Sequence, residues 1–230
     1  MNRNRLLAVL SSEIRDDFAA RAVKRTLPLK TSLFLERETP KLAYFPLSGV
    51  ASIVAVGSDG GVSEVGFMGR EGVSGAYHLL GPAKVPTRCF VQIEGEFLAV
   101  PFAAVRRAYD TSHEFRRYLL EFVQADSLAV SQIAGCNQMH KLDMRLARWL
   151  LMAYDRHESH RLRVTHEILA EMVASSRSTV TQVLLRLKRK GLIEYSRGQL
   201  VILDRKGLEA AACDCYPIAK SLFFNLYRSG

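Results

Sequence analysis

Between Val164 and Val201 the chain reads VTHEILAEMVASSRSTVTQVLLRLKRKGLIEYSRGQLV, and few folds accept that pattern. Ile168, Leu169, Met172 and Val173 fall on one face of a helix. Val180, Val183, Leu184 and Leu187 fall on one face of a second, with the recurrence of three and four residues that marks amphipathic helices. Only Ala174, Ser175 and Ser176 separate the two, so the helices must be neighbours, a helix-turn-helix over about 166–185. Ala174 stands in the turn, where Gly is common. Gly191 stops the second helix. Leu192–Tyr195 and Gln199–Leu203 then flank Ser196, Arg197 and Gly198, which reads as two short strands around a tight turn, a wing over about 192–203.

The second helix opens with Ser176, Arg177, Ser178 and Thr179, followed by Thr181 and Gln182. A recognition helix enters the major groove with such residues foremost. Arg pairs bidentately with a guanine edge, Gln with adenine, and Ser or Thr with bases or phosphates. Arg186, Lys188, Lys190 and the wing residue Arg197 supply cations for phosphates, and Thr165, just ahead of the first helix, joins the expected contact set. Taken alone, the same residues would also suit a solvated helix face with a Ser N-cap.

Charge sharpens the choice. Residues 141–230 hold 16 Lys and Arg against 9 Asp and Glu, whereas residues 1–140 hold 16 against 14. A basic C-terminal part beside a near-neutral N-terminal part fits a nucleic-acid-binding domain joined to something else. The short run Leu6–Leu10 is no signal peptide, and no apolar run approaches the roughly 20 residues that span a bilayer. The expected setting is therefore cytoplasmic and away from membranes. Cys89, Cys136, Cys213 and Cys215 include no Cys-x-x-Cys pair, so they read as reduced thiols, and no metal site is expected. His157 and His160 lack the spacing of a zinc protease and read as a polar loop.

Ahead of the helix-turn-helix the texture changes. Residues 1–25 suggest one or two short helices. From Leu27 to Pro101, short apolar runs recur between Gly, Pro and Ser turns, the mark of a closed or double-layered antiparallel β domain. Between the runs lies Met68–Gly81, where Gly69, Gly72 and Gly75 allow either a ligand cradle or a plain connecting loop. From Phe102 to about His140 the pattern is helical. Phe115, Leu119, Phe122, Ala129, Ile133 and Cys136 form one apolar stripe, and Leu120, Val123, Val130 and Ala134 a second. A helix with two apolar faces buries one against its own domain and the other elsewhere, most simply against a symmetry mate. The first stripe is the expected dimer seam, which Asp126 would interrupt.

The order of β domain, Gly-rich segment, long helix and winged helix-turn-helix resembles the Crp/Fnr superfamily of bacterial transcription regulators, over nearly the whole chain. The most specific matches are Glu64–Gly72, Cys136–His140 leading into Arg145–Leu151, Ser175–Val180 and Ala212–Tyr216. They look like a branch without an assigned effector. The resemblance implies an α+β fold with three parts: a cyclic-nucleotide-binding-like antiparallel β-roll over 1–110, a dimerisation helix over 111–140 and a winged helix-turn-helix domain over 141–230. It also implies a non-enzymatic homodimer on a palindromic promoter site, with RNA polymerase as partner if the protein activates. An effector would sit near Gly69, Gly72, Ser74, Gly75, Thr87, Arg88, Val130 and Ser131. Cyclic AMP is not expected, since Ser74 falls where such members place the ribose-binding Glu and Val85–Arg88 lacks their Arg-Ser pair. The Fnr branch's N-terminal cysteine cluster is missing, so an iron-sulfur cluster is not expected either. The rival reading is a small-molecule-binding module whose winged domain contacts protein.

Overall fold

The computed structural model describes residues 2–58, 61–157 and 161–228. Helices α1 (Arg5–Ala8) and α2 (Ser12–Arg21) lead into strands β1 (Val23–Leu27), β2 (Ser32–Phe34), β3 (Leu42–Pro46), β4 (Val50–Val56) and β5 (Val62–Met68). After a 3₁₀ turn at Ala76–Leu79 come β6 (Thr87–Ile93) and β7 (Gly95–Pro101). Helices α3 (Phe102–Thr111), α4 (His113–Met139) and α5 (Leu142–Arg156) follow. The winged part comprises β8 (Leu162–Arg163), α6 (His166–Met172), α7 (Arg177–Arg189), β9 (Ile193–Ser196) and β10 (Gln199–Ile202), and α8 (Arg205–Ala211) and α9 (Cys215–Phe224) end the chain.

All strand pairing is antiparallel. A three-stranded sheet in the order β1-β7-β3 and a four-stranded sheet in the order β2-β6-β4-β5 make the β-roll. Its core is aromatic, with Phe18 packing edge-on to Phe115 and against Phe45. The chain becomes extended at Val23, earlier than the apolar runs suggest, because β1 is an edge strand with four exposed residues and little apolar signal. Ser112 divides the expected single helix into α3 and α4. Its backbone is extended, and its hydroxyl accepts from Phe115 N at 3.1 Å to cap α4.

Helix α4 corrects the expected seam. Phe115, Leu119, Phe122, Ala129 and Cys136 are buried within the single chain, and Ile133 is half-buried against the winged part. The most apolar stripe goes to the chain's own core because that core offers the larger apolar surface. Leu120, Gln124, Leu128 and Ser131 are left facing outward, with Leu128 51% exposed. Among the described residues no helix is long and apolar enough to cross a membrane.

Helix α5 and the winged part pack directly on the four-stranded sheet. Trp149 of α5 lies against Phe67 and donates its indole N–H to Glu64 Oε1 at 2.8 Å. Ser52 Oγ and Gln92 Nε2 donate to Glu64 Oε2, each at 2.8 Å. Burial nevertheless pushes the Glu64 carboxyl up to about 7, because desolvation outweighs those three hydrogen bonds. Nearby, Arg156 pairs with Glu71 at 2.6 Å, its guanidinium lying between the rings of Phe67 and Phe223.

Candidate nucleic-acid interface

The helix pair forms as its apolar spacing dictates. Ile168, Leu169, Met172 and Val173 of the first unit meet Val180, Val183, Leu184 and Leu187 of α7 in one buried cluster. Thr165 caps α6, its hydroxyl accepting from Ile168 N at 3.3 Å, and Ser176 caps α7 by accepting from Thr179 N at 3.1 Å. Between them Ala174 adopts a φ of +46°, the left-handed conformation that a Cβ disfavours. In the wing, Arg197 and Gly198 have φ of +50° and +75°. Two central residues with positive φ give the hairpin turn whose twist matches its strands. Strand β8 completes the wing sheet in the order β8-β10-β9.

With the apolar face inside, the N-terminal end of α7 presents Arg177, Ser178, Thr179 and Gln182 to solvent. Arg177 pairs with Glu167 at 2.7 Å, and both side chains are largely exposed. Such a surface pair contributes at most about 1 kcal/mol, so it yields readily to a better partner. Ser176 is linked to Ser178 and Thr179 through hydroxyl hydrogen bonds of 2.8 and 2.7 Å. Lys190, at the C-terminal end of α7, and Arg197 in the wing are exposed, and Lys188 pairs with Glu194 at 2.5 Å.

A second feature lies in the β-roll. A cavity of about 450 Å³ is walled by Ile53, Val65, Val85, Pro86 and Val130, with Thr87, Lys84 and Asp126 among its polar lining. Asp126 is only 3% exposed and accepts from the Tyr77 hydroxyl at 3.1 Å. Burial raises its carboxyl to about 6, while burial and the adjoining carboxylate push the Tyr77 hydroxyl further up.

Residues 144–211 match the Crp-like helix-turn-helix domain. The transcriptional regulator LdrP of Thermus thermophilus is 38% identical over 81 residues, which is 33% of this chain and 42% of LdrP, so the match spans less than half of that relative. Among solved structures, a Crp-family transcriptional regulator of Thermus thermophilus, TTHB099, superposes with a TM-score of 0.67 at 24% identity, over 82% of this chain and 96% of that one. A Crp/Fnr-family protein from Eubacterium rectale superposes with a TM-score of 0.69 at 18% identity, over 92% and 99%. The chain shares the fold of these structures, and its residues 144–211 carry a Crp-like helix-turn-helix domain.

Within this fold several expected residues turn out to be engaged elsewhere. Thr181 faces α6, its hydroxyl 2.7 Å from His166 Nδ1 and donating to Arg177 O. Arg186 makes a bidentate pair with Asp143 of α5, at 2.8 and 2.7 Å. Of the eight residues expected around an effector, only Thr87 and Val130 line the cavity. Gly69 and Gly72 serve packing: a Cβ on Gly72 would lie 2.3 Å from the Phe122 ring, and one on Gly69 2.8 Å from Arg156 Cβ. Ser74 accepts from Tyr44 N at 2.9 Å, and Gly75 enters the 3₁₀ turn with a φ of +79°. Ser131 lies outside, bonded to Ser127 O. Arg88 follows Thr87 on β6, so strand alternation turns it to the opposite face, into a groove beside Ile168 and Glu171.

Sequence reading missed Asp126 as a cavity group. The available signal was a carboxylate on an otherwise apolar helix face. It also missed a convergence of the cysteines. Cys136, His140, Cys213 and Cys215 bring their donor atoms within 4.8 Å of one another although the sequence holds no Cys-x-x-Cys pair, while Cys89 stays buried in the β-roll core. The i, i+4 spacing of Cys136 and His140 was the overlooked signal. In the expected polar loop, His157 Nδ1 lies 3.0 Å from Ser48 O, and His160 is outside the described residues.

Proposed function

We propose that the protein is a sequence-specific, double-stranded DNA-binding transcription regulator, a non-enzymatic homodimer acting in the cytoplasm on a palindromic promoter site. The carrying observation is the N-terminal end of α7, where Arg177, Ser178 and Gln182 project to solvent from a helix whose other face is buried. In that position Arg177 reads a guanine edge, Ser178 and Gln182 refine the preference, and Lys188, Lys190 and Arg197 meet phosphates. Dimerisation uses the outward face of α4 around Leu120, Gln124, Leu128 and Ser131, which sets the two recognition helices about one DNA turn apart. RNA polymerase is the further partner if the protein activates.

Input enters at the β-roll cavity. Its walls are apolar and its buried ionisable group is a carboxylate, so it suits an apolar effector that donates a hydrogen bond to Asp126. A cyclic phosphate placed beside that buried carboxylate is repelled and would find only the exposed Lys84 as a cation in the lining, which argues against cyclic AMP. Asp126 and Val130 belong to α4, the helix that leads into the winged part, so a bound effector biases the placement of α7 through α4.

The test is a mobility shift on the DNA upstream of the protein's own gene, with competitor DNA present, followed by footprinting. The expected result is retardation at about 10⁻⁸ M or tighter and protection of two major-groove segments one turn apart. Binding no tighter to that DNA than to competitor, together with selection of no preferred sequence from a randomised pool, contradicts the reading and favours a winged domain that contacts protein.

A further inference from the structure

We propose that Cys136, His140, Cys213 and Cys215 form a tetrahedral site for a single zinc ion, which fastens the C-terminal helices to the end of the long helix. The four donors come from two places. Cys136 and His140 sit one turn apart where α4 ends, and Cys213 and Cys215 flank Asp214 at the start of α9. Cys136 Sγ lies 3.4 Å from Cys213 Sγ, and Cys215 Sγ lies 3.6 Å from His140 Nδ1. Zinc bound tetrahedrally at about 2.3 Å from sulfur and 2.0–2.1 Å from nitrogen spaces its donors about 3.5–3.8 Å apart. The side chains are already close to that arrangement.

Three further observations agree. All three cysteines are buried, so the thiolates are shielded as in structural Cys₃His sites. Gln132 Nε2 donates to Cys215 Sγ at 3.2 Å, the kind of outer hydrogen bond that orients a ligand. Arg148 is 3% exposed, forms no ion pair among the described residues, and its Nε has no partner, yet its charge bears on both Cys136 and Cys213. Its charge also reaches the Glu64 carboxyl, but no acidic group among the described residues pairs with it directly, and a buried cation so weakly balanced is costly. Three thiolates and a neutral imidazole around Zn²⁺ carry a net charge of −1, which supplies the counter-charge.

The same geometry excludes neighbouring chemistries. An iron-sulfur cluster would need room for several irons and sulfides between its ligands, and donors all within 4.8 Å of one another leave space for one ion. A Cys136–Cys213 disulfide would use two of the four donors and leave the neighbouring Cys215 and His140 outside the bond. Zinc binding involves no electron transfer; each thiol that ligates releases its proton to solvent. Since α4 ends at the joint with α5 and Cys215 begins α9, occupancy fixes the joint between the long helix and the winged part. Tyr216 extends the clamp, its hydroxyl donating to Asp155 at 2.8 Å and accepting from Arg205 at 2.7 Å.

The experiment uses the full chain, reduced and stripped with chelator, then titrated with Co²⁺ and back-titrated with Zn²⁺. The expected result is about one ion per chain, with the intense visible bands and thiolate charge-transfer absorption of tetrahedral cobalt, bleached by zinc. Cys213→Ser and Cys215→Ser should each weaken zinc binding by about 100-fold or more, and Cys89→Ser should leave it unchanged. His140→Cys should retain one ion with a shifted cobalt spectrum, a check that does not depend on the serine variants folding. Binding of fewer than about 0.1 ions per reduced chain, a six-coordinate cobalt spectrum, or equal losses in Cys89→Ser would overturn the site.

Discussion

Along α7, Arg177, Ser178 and Gln182 lie within two turns of one another and face solvent, whereas Cys136 and Cys213 meet from positions 77 residues apart and are buried. The first group is encoded locally: a cap, an amphipathic period and short polar residues at one end fix what the helix presents. The second exists only because α9 packs along α4. The two regions therefore respond to different perturbations, and each prediction below separates them or sharpens the contrast.

The largest effect belongs to the packed cluster. Zn²⁺ at about 1,000 times its Kd should raise the unfolding free energy by about 4 kcal/mol. Thermal or urea unfolding with zinc and with chelator measures that gain. It should vanish in Cys215→Ser and persist in Arg177→Ala, while an equal gain in Cys215→Ser would count against the assignment.

Next comes the buried junction between the winged part and the β-roll. The Glu64 carboxyl rises from 4.5 to about 7 on folding, so below about pH 4.5 it is protonated in both states and carries no penalty. As pH rises toward 7 the unfolded chain ionises first, and stability is lost, on the order of 3 kcal/mol by neutral pH. Glu64→Gln should flatten the fall in stability between pH 5 and 8, as urea unfolding across that range would reveal. A slope as steep as in the wild type would show that another group is responsible.

Smaller effects fall on the locally encoded helix-turn-helix and wing. Lys190→Ala and Arg197→Ala should each reduce the salt dependence of DNA affinity by about one unit of log–log slope without altering which sequence is preferred. Anisotropy titrations at several salt concentrations measure this, and an unchanged slope would remove the residue from the phosphate contacts. Ala174→Gly should stabilise the chain by about 1 kcal/mol or less, because Gly relieves the left-handed φ of +46° while adding freedom to the unfolded state. Destabilisation in denaturant melts would contradict that account of the turn.

This contrast also explains what the sequence made legible. The helix-turn-helix, the wing and the β-roll strands follow from periods of 3.6 and 2 punctuated by Gly and Ser, which are local properties. The expected seam through Phe115, Leu119 and Phe122 failed because an apolar stripe does not say which surface it meets, and the chain's own core took it. Thr87 and Arg88 were assigned to one pocket although adjacent strand residues face opposite ways. Asp126, read as an interruption of a dimer seam, instead faces the cavity of its own β-roll. The cysteine cluster and the Arg186–Asp143 pair depend on tertiary packing that spacing alone does not encode.

Base preference tests the central claim most directly. Wild type and Arg177→Ala are each measured against the selected operator and against every single-base substitution in one half-site. If Arg177 reads the sequence, its loss should cost about 1–3 kcal/mol per half-site and erase the preference at one guanine while sparing the others. An identical preference profile for the two proteins, with affinity lowered evenly or not at all, would contradict α7 as the element that reads DNA through Arg177.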